Sequence, residues 1–266
     1  MLIVGERINS SRGRIAEAIE TRNAEAIQAE AAAQEKAGAD YLDVNAGSFV
    51  GEEAEHLKWL VQIVQEAVSI PLCLDSPDPG VIRSVLPLVA QTPMINSVTL
   101  EPERLEGILP LAAERGAKLI ALCQSEESMA ETVADKVEMA VRLVEKAEQV
   151  GITPDDLYID PLVYPLATNP QSAVATLDAV GRIMGEIEGV HTICGLTNVS
   201  YGIPHRKLIN RTFLVAAMSR GLDSVILDPT DRDLYGALLA GNAVLGRDDF
   251  CMAYITAYRE GRLGPL

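Results

Sequence analysis

Lys118-Leu119-Ile120-Ala121-Leu122-Cys123 is followed by helical periodicity over 127–150, then by Gly151, then by Leu157-Tyr158-Ile159-Asp160-Pro161. Two short apolar runs separated by one long amphipathic segment make a strand–helix–strand unit, and its strands must lie parallel because a hairpin is too short for such a crossover. The same succession extends in both directions. Strands are predicted over 2–8, 41–45, 71–75, 93–98, 118–123, 157–161, 191–197 and 224–227. Helices are predicted over 13–37, 52–68, 78–90, 101–115, 127–150, 170–187, 207–220 and 231–245, with a further helix in the tail from 248 to 266. Gly38, Gly116, Gly151 and Gly221 stand where helices should stop. Eight evenly spaced units with no Pro/Ser-rich linker predict an α/β chain closed into a (β/α)8 TIM barrel, one domain over 1–266.

Composition agrees. Hydrophobic residues are 48% of the chain and aromatic residues 4%, which implies an aliphatic core of strands buried on both faces. Lys plus Arg number 22 against 38 for Asp plus Glu, a net charge of −16. Such a surface repels phosphate backbones and anionic lipid, so neither nucleic acid nor membrane is an expected partner. Cys73, Cys123, Cys194 and Cys251 form no C-x-x-C pair, and three of them sit inside apolar runs. That pattern fits a reducing cytoplasm better than a disulfide framework. No run approaches 18 apolar residues, and Met1-Leu2-Ile3-Val4-Gly5-Glu6 enters a strand at once, so neither a membrane span nor a signal peptide is expected.

In such a barrel, function collects where strands end and βα loops begin. Those positions carry Glu6, Arg7 and Asn9; Asp43 and Asn45; Asp75 and Ser76; Asn96 and Ser97; Gln124; Asp160; Thr197, Asn198 and Ser200; and Asp228. Carboxylates and carboxamides recur, without Lys or His. A mouth of this kind suits a flat heterocycle with alternating donors and acceptors, as a pterin has. One carboxylate such as Asp160 accepts from an amino group and a neighbouring ring N–H, while Asn96 and Asn198 each donate and accept. Plainer roles stand beside these. Asp43 and Asp75 can cap the following helices, Asn45 can serve a turn with Gly47, and Ser76-Pro77 and Asp160-Pro161 can simply end strands. A carboxylate inside Tyr158-Ile159-Asp160-Pro161-Leu162 nevertheless needs partners.

Other barrel chemistries lack their residues. His56, His191 and His205 are unpaired, against the two or more histidines of a metal hydrolase, so no metal is expected. Lys118 lies at the wrong end of its strand for a Schiff base. Asp228-Pro229-Thr230-Asp231-Arg232-Asp233 would repel a phosphate at the eighth loop.

Gly5-Glu6-Arg7-Ile8-Asn9, Leu72-Cys73-Leu74-Asp75-Ser76, Met94-Ile95-Asn96-Ser97, Leu157-Tyr158-Ile159-Asp160-Pro161-Leu162, Gly195-Leu196-Thr197-Asn198-Val199-Ser200 and Leu208-Ile209-Asn210-Arg211-Thr212-Phe213 resemble, in order, the methyltetrahydrofolate:corrinoid-protein methyltransferases. That family includes the folate module of cobalamin-dependent methionine synthase. The resemblance implies a pterin-binding barrel, with tetrahydrofolate or 5-methyltetrahydrofolate as substrate and a cobalamin (corrinoid) supplied by a partner protein. It also implies a homodimer. It assigns the folate to Asp75, Asn96, Asp160, Asn198, Arg206 and Glu6, with Asn198 catalytic at the methyl-bearing ring nitrogen. Ser200 and Tyr201 are implied to face the corrinoid. Tyr201 stands where acetogen-type members have Gln, which leaves the partner and the favoured direction open. Asn198 is expected to act as a hydrogen-bonding group that strengthens as charge changes on the nitrogen. The chain has no D-x-H-x-x-G loop for holding cobalamin itself. Two alternatives remain: a dihydropteroate synthase-like pterin transferase, whose first-strand N-x-T-x-D-S-F type segment and basic eighth-strand end are missing, and a non-catalytic folate-binding subunit.

Overall fold

A computed structural model of the chain describes residues 1–126 and 130–264. Among these residues eight strands pair in parallel: β1 (Leu2–Asn9), β2 (Tyr41–Asn45), β3 (Leu72–Asp75), β4 (Met94–Val98), β5 (Lys118–Leu122), β6 (Leu157–Asp160), β7 (His191–Thr192) and β8 (Ser224–Leu227). Their order is β7-β6-β5-β4-β3-β2-β1-β8. Just past β7 the Ile226 N–H donates to the Cys194 carbonyl at 3.0 Å, and Gly195 bridges to Ile226 in parallel, so the sheet closes on itself. The (β/α)8 barrel expected from the eight repeated units is the observed architecture.

Alternation along the strands explains how the barrel is filled. Leu42, Val44, Leu74, Ile95, Leu119 and Ile159 point outward into an aliphatic layer shared with Leu57, Leu60, Ile82, Ile108, Leu143 and Ile183 of the surrounding helices. Val4, Tyr41, Cys73, Met94, Ile120, Tyr158 and Ile193, one from each of β1 to β6 and one just past β7, fill the lumen, with Ile226 of β8 packed against them. This plug makes the barrel a packed core, not a pore. Lys118 sits at the opposite end from the mouth, 3.7 Å from Asp156.

The helices are α1 (Gly13–Glu20), α2 (Ala24–Ala37), α3 (Glu53–Ala67), α4 (Pro79–Val85), α5 (Pro102–Arg115), α6 (Val133–Glu148), α7 (Ser172–Glu186), α8 (Arg206–Ser219), α9 (Arg232–Val244) and α10 (Met252–Arg259). Two departures from expectation have local causes. The helix expected over 13–37 is two, because Arg22 takes a positive φ of 53° and Asn23 starts a new helix by accepting from the Ala26 N–H at 3.1 Å. The strand expected over 191–197 ends at Thr192, and Leu196–Ser200 coils into a 3-10 turn. The start of the helix expected over 127–150 falls on 127–129, outside the described residues; α6 begins with Thr132 and Asp135 reciprocally capping its first turn. The tail does form a helix, α10, which packs against α9 through Ala257. Gly38 and Gly116 end α2 and α5 in the left-handed conformation.

Candidate active site at the barrel mouth

Two residues beyond the lumen plug on each strand, the same inward face carries Glu6, Asp43, Asp75, Asn96, Leu122, Asp160, Gly195 and Asp228. Five of the eight are carboxylic acids. The site is therefore the mouth end of the barrel's inward face, set by the two-residue period of the strands.

On the β2–β4 side the acids form a network. Asn96 donates Nδ2 to Asp43 Oδ1 at 3.2 Å. Asn45 donates Nδ2 to Asp75 Oδ2 at 3.0 Å, and its own Oδ1 accepts from Ser10 Oγ and from the Gly47 N–H, each at 3.0 Å. Asn45 thus serves both its turn and the site. Burial first, then the neighbouring Asp75 charge, holds the Asp43 carboxyl well above the usual range. Burial likewise pushes Asp75 up to about 6. Two buried carboxyls this close do not both ionise readily. Neither caps a helix. Asp78 does that for α4, accepting from the Gly80 N–H at 2.7 Å.

On the β6–β7 side stands Asp160, buried and pushed up to about 6 by that burial. Its Oδ1 accepts from the Leu162 N–H at 2.7 Å, and the Gly195 N–H also favours its ionised form. Asn198, exposed in the 3-10 turn, lays its carboxamide over Gly195: a Cβ there would stand 3.2 Å from Asn198 Nδ2. Asp160 and Asn198 therefore share Gly195 as a neighbour. A side chain at 195 would push the carboxamide away.

Arg206, at the start of α8, ties this turn down. Its Nε donates to Ser200 Oγ at 3.0 Å and its Nη2 to the Thr197 carbonyl at 2.8 Å, while its guanidinium lies 5.7 Å from the centre of the Tyr201 ring. Ser200 is fully buried, so the expectation that it faces a corrinoid does not fit its side chain, which is taken up by the turn itself. Tyr201, 67% exposed, is the rim residue of that pair. Glu6 accepts from Arg12 Nη2 at 2.9 Å, and burial raises its carboxyl against the pull of Arg12 and Arg206. Asp228 is bound to Arg7 at 2.8 Å and to Thr230, contacts that hold its carboxyl low despite its burial. The β8 end is thus an acid whose charge is already paired with Arg7.

Lys136 was not among the residues singled out, and Asp43, singled out at the mouth, had a helix-capping role set beside it although it lies two residues past inward-facing Tyr41. Lys136 of α6 is fully buried, with its ammonium behind the turn that follows Asp160. A lysine on the apolar face of a helix was the available signal.

The sequence profile described as pterin binding enzyme matches residues 5–228. The methylcorrinoid:tetrahydrofolate methyltransferase of Eubacterium limosum is 39% identical over 268 residues, spanning 100% of this chain and 99% of that protein. Methionine synthase of Mycobacterium tuberculosis is 30% identical over 241 residues, which cover 85% of this chain but 20% of that larger protein. Among solved structures, dihydropteroate synthase of Xanthomonas albilineans with 4-aminobenzoic acid superposes with a TM-score of 0.68 at 20% identity, covering 93% of each chain. The Yersinia pestis dihydropteroate synthase gives 0.69 at 16% identity over 92% of this chain and 93% of that one. At such identities these two structures are likenesses of fold. The profile match over most of the barrel, the full-length relative and the acidic ring at the mouth lead to one assignment: the chain belongs to the pterin-binding enzyme family.

Proposed function

We propose that this chain is a methyltransferase that moves a methyl group from a methylcorrinoid, carried by a partner protein, to the N5 nitrogen of tetrahydrofolate. The observation that carries this reading is the ring itself: Asp75, Asn96 and Asp160 stand at equivalent positions of three strands, with two of the acids pushed up to about 6. Such groups accept from a pterin's amino and ring N–H donors, and each charge-assisted bond contributes about 1.5–3 kcal/mol. The full-length relative named for this same reaction supports the choice of acceptor and direction. Glu6 and Arg206 complete the folate-binding set on this reading, and Tyr201 meets the incoming corrinoid.

The corrinoid supplies the methyl group as an electrophile and takes back the electron pair of the cobalt–carbon bond. The remaining work falls to this chain. Asp75, Asn96 and Asp160 fix the heterocycle so that the N5 lone pair points out of the mouth. Asn198 accepts the N5–H through Oδ1 as positive charge builds on the nitrogen, and that proton leaves to solvent once the new carbon–nitrogen bond has formed. In the reverse direction the same Oδ1 contact holds the proton on N5 while the methyl group leaves. Such a group contributes to the transition state more than to the bound ground state.

The chain is a single barrel domain on this reading. It works in a reducing cytosol, which accords with Cys73, Cys123 and Cys194 being buried free thiols. It also pairs with a second copy: Val244, Phe250, Met252, Tyr254 and Tyr258 leave apolar surface exposed around α10, with Phe250 at 93%. Light scattering of the purified protein tests the pairing, and a monomer mass contradicts it.

Mixing the protein with methylcobalamin and tetrahydrofolate under anaerobic conditions tests the activity. Protein-dependent loss of the methylcobalamin spectrum with formation of the reduced corrinoid is the expected result. Folate binding without any spectral change would support the non-catalytic alternative, and transfer from a pterin diphosphate to 4-aminobenzoate would support the synthase one.

A further inference from the structure

The buried face of α6 reads Lys136, Val137, Met139, Ala140, Leu143, Val144 and Ala147, and its lysine is 0% exposed. A buried ammonium is costly unless all its donors are met. Lys136 Nζ has three protons and three carbonyl partners: Ala130 at 2.9 Å, Pro161 at 2.5 Å and Leu162 at 2.9 Å. The Tyr164 ring closes the cage with its centre 4.9 Å away.

Two of those carbonyls belong to the turn that follows Asp160. Leu162 has a φ of 61° there, a left-handed conformation that L side chains disfavour. Its carbonyl is held from two sides, by Lys136 Nζ and by Thr176 Oγ1 at 3.1 Å. With Leu162 so held, its N–H meets Asp160 Oδ1 at 2.7 Å. The other groups facing this carboxylate are Cys123 just past β5 and Cys194 beyond β7, both thiols raised by burial and so neutral, and the Tyr164 phenol, pushed up to about 12. Glu131, ahead of α6, faces Lys136 and Tyr164. Lys136 is the cation among them.

We propose that Lys136 is a positioning residue for substrate recognition: it clamps the turn after β6 and so orients the Asp160 carboxylate toward the heterocycle. The inference rests on the reading of Asp160 as a pterin-binding group.

The test compares tetrahydrofolate binding to the full chain, by titration calorimetry from pH 5 to 8, in Lys136→Met, Thr176→Val and Asp160→Asn. Lys136→Met is expected to raise the Kd at least tenfold. It should also move the pH below which binding is lost upward by about one unit, as removal of a nearby cation does, with kcat at saturating folate changed less than threefold. A lysine that serves stability alone would lower Tm and leave that pH where it was, and this outcome overturns the proposal. If Lys136→Met does not fold, Thr176→Val decides. It removes the second donor to the same carbonyl without changing charge, so it should raise the Kd two- to fivefold at an unchanged pH midpoint; wild-type affinity there overturns the clamp. Wild-type affinity in Asp160→Asn would instead overturn the pterin reading itself.

Discussion

Asp160 shows how one residue trades stability for binding. Its carboxyl is pushed up to about 6 by burial, whereas the unfolded chain has an ordinary carboxyl near 4. The folded state therefore holds a proton that the unfolded state releases, and stability falls as pH rises from about 4 to about 6. At neutral pH the buried, ionised group costs about 3 kcal/mol. Asp160→Asn is expected to raise the denaturation midpoint at pH 7, with the gain vanishing near pH 4, and to weaken tetrahydrofolate binding roughly 10- to 100-fold. For the same reason wild-type affinity should fall below pH 6, where the acid no longer accepts. Asn198 is a different case, because on the proposed function its carboxamide acts while charge is changing. Asn198→Ala should lower kcat by about 10²–10³-fold, the scale of losing one preorganised transition-state hydrogen bond, with a much smaller change in Kd; equal losses in both contradict its role. Asp75, Asn96, Asp160 and Asn198 were legible because each is a polar residue closing an apolar run. Asp43 stood at the mouth with a helix-capping role as an equal explanation. Lys136 was hidden because a lysine on an amphipathic helix reads as exposed.

The decisive element is the short turn Leu196–Ser200, which presents Asn198. It stands where a longer strand was expected. The residues from His191 to Leu196 have no periodicity that tells a strand from an extended lead into a turn, and only closure onto Ile226 decides where pairing stops. Arg206, proposed to meet the folate, also holds this turn, its Nε and Nη2 donating to Ser200 and Thr197. Arg206→Ala should consequently lower kcat about tenfold, one to two hydrogen bonds' worth, more than it weakens folate binding, and steady-state kinetics at varied folate separate the two. At the far side of the barrel the helices were legible nearly throughout, because their apolar stripes and terminal glycines point to the same boundaries. The break between α1 and α2 was not, since Thr21-Arg22-Asn23 interrupts a pattern that remains helical on both sides.

For the whole molecule, strand alternation ties stability to function. One inward position on each strand packs the plug, and the position two residues on lies at the mouth, so the floor of the candidate site is the top of the core. Ile120→Ala, in that plug, should cost about 2–5 kcal/mol in denaturant unfolding. It should also weaken folate binding although Ile120 lies beneath the ring, and a loss below 1 kcal/mol would contradict the close packing of the lumen. Fold class was legible from the eightfold succession of strands and helices, whereas the chemistry required knowing which face of each strand looks inward. The most direct test of the central claim follows the methyl group itself. The protein is incubated anaerobically with ¹³C-methyl-labelled methylcobalamin and tetrahydrofolate, and the label is located by NMR. The account predicts that the label moves from cobalt to N5 of the folate in wild-type protein and far more slowly in Asn198→Ala. Label that stays on cobalt while folate occupies the mouth would contradict it.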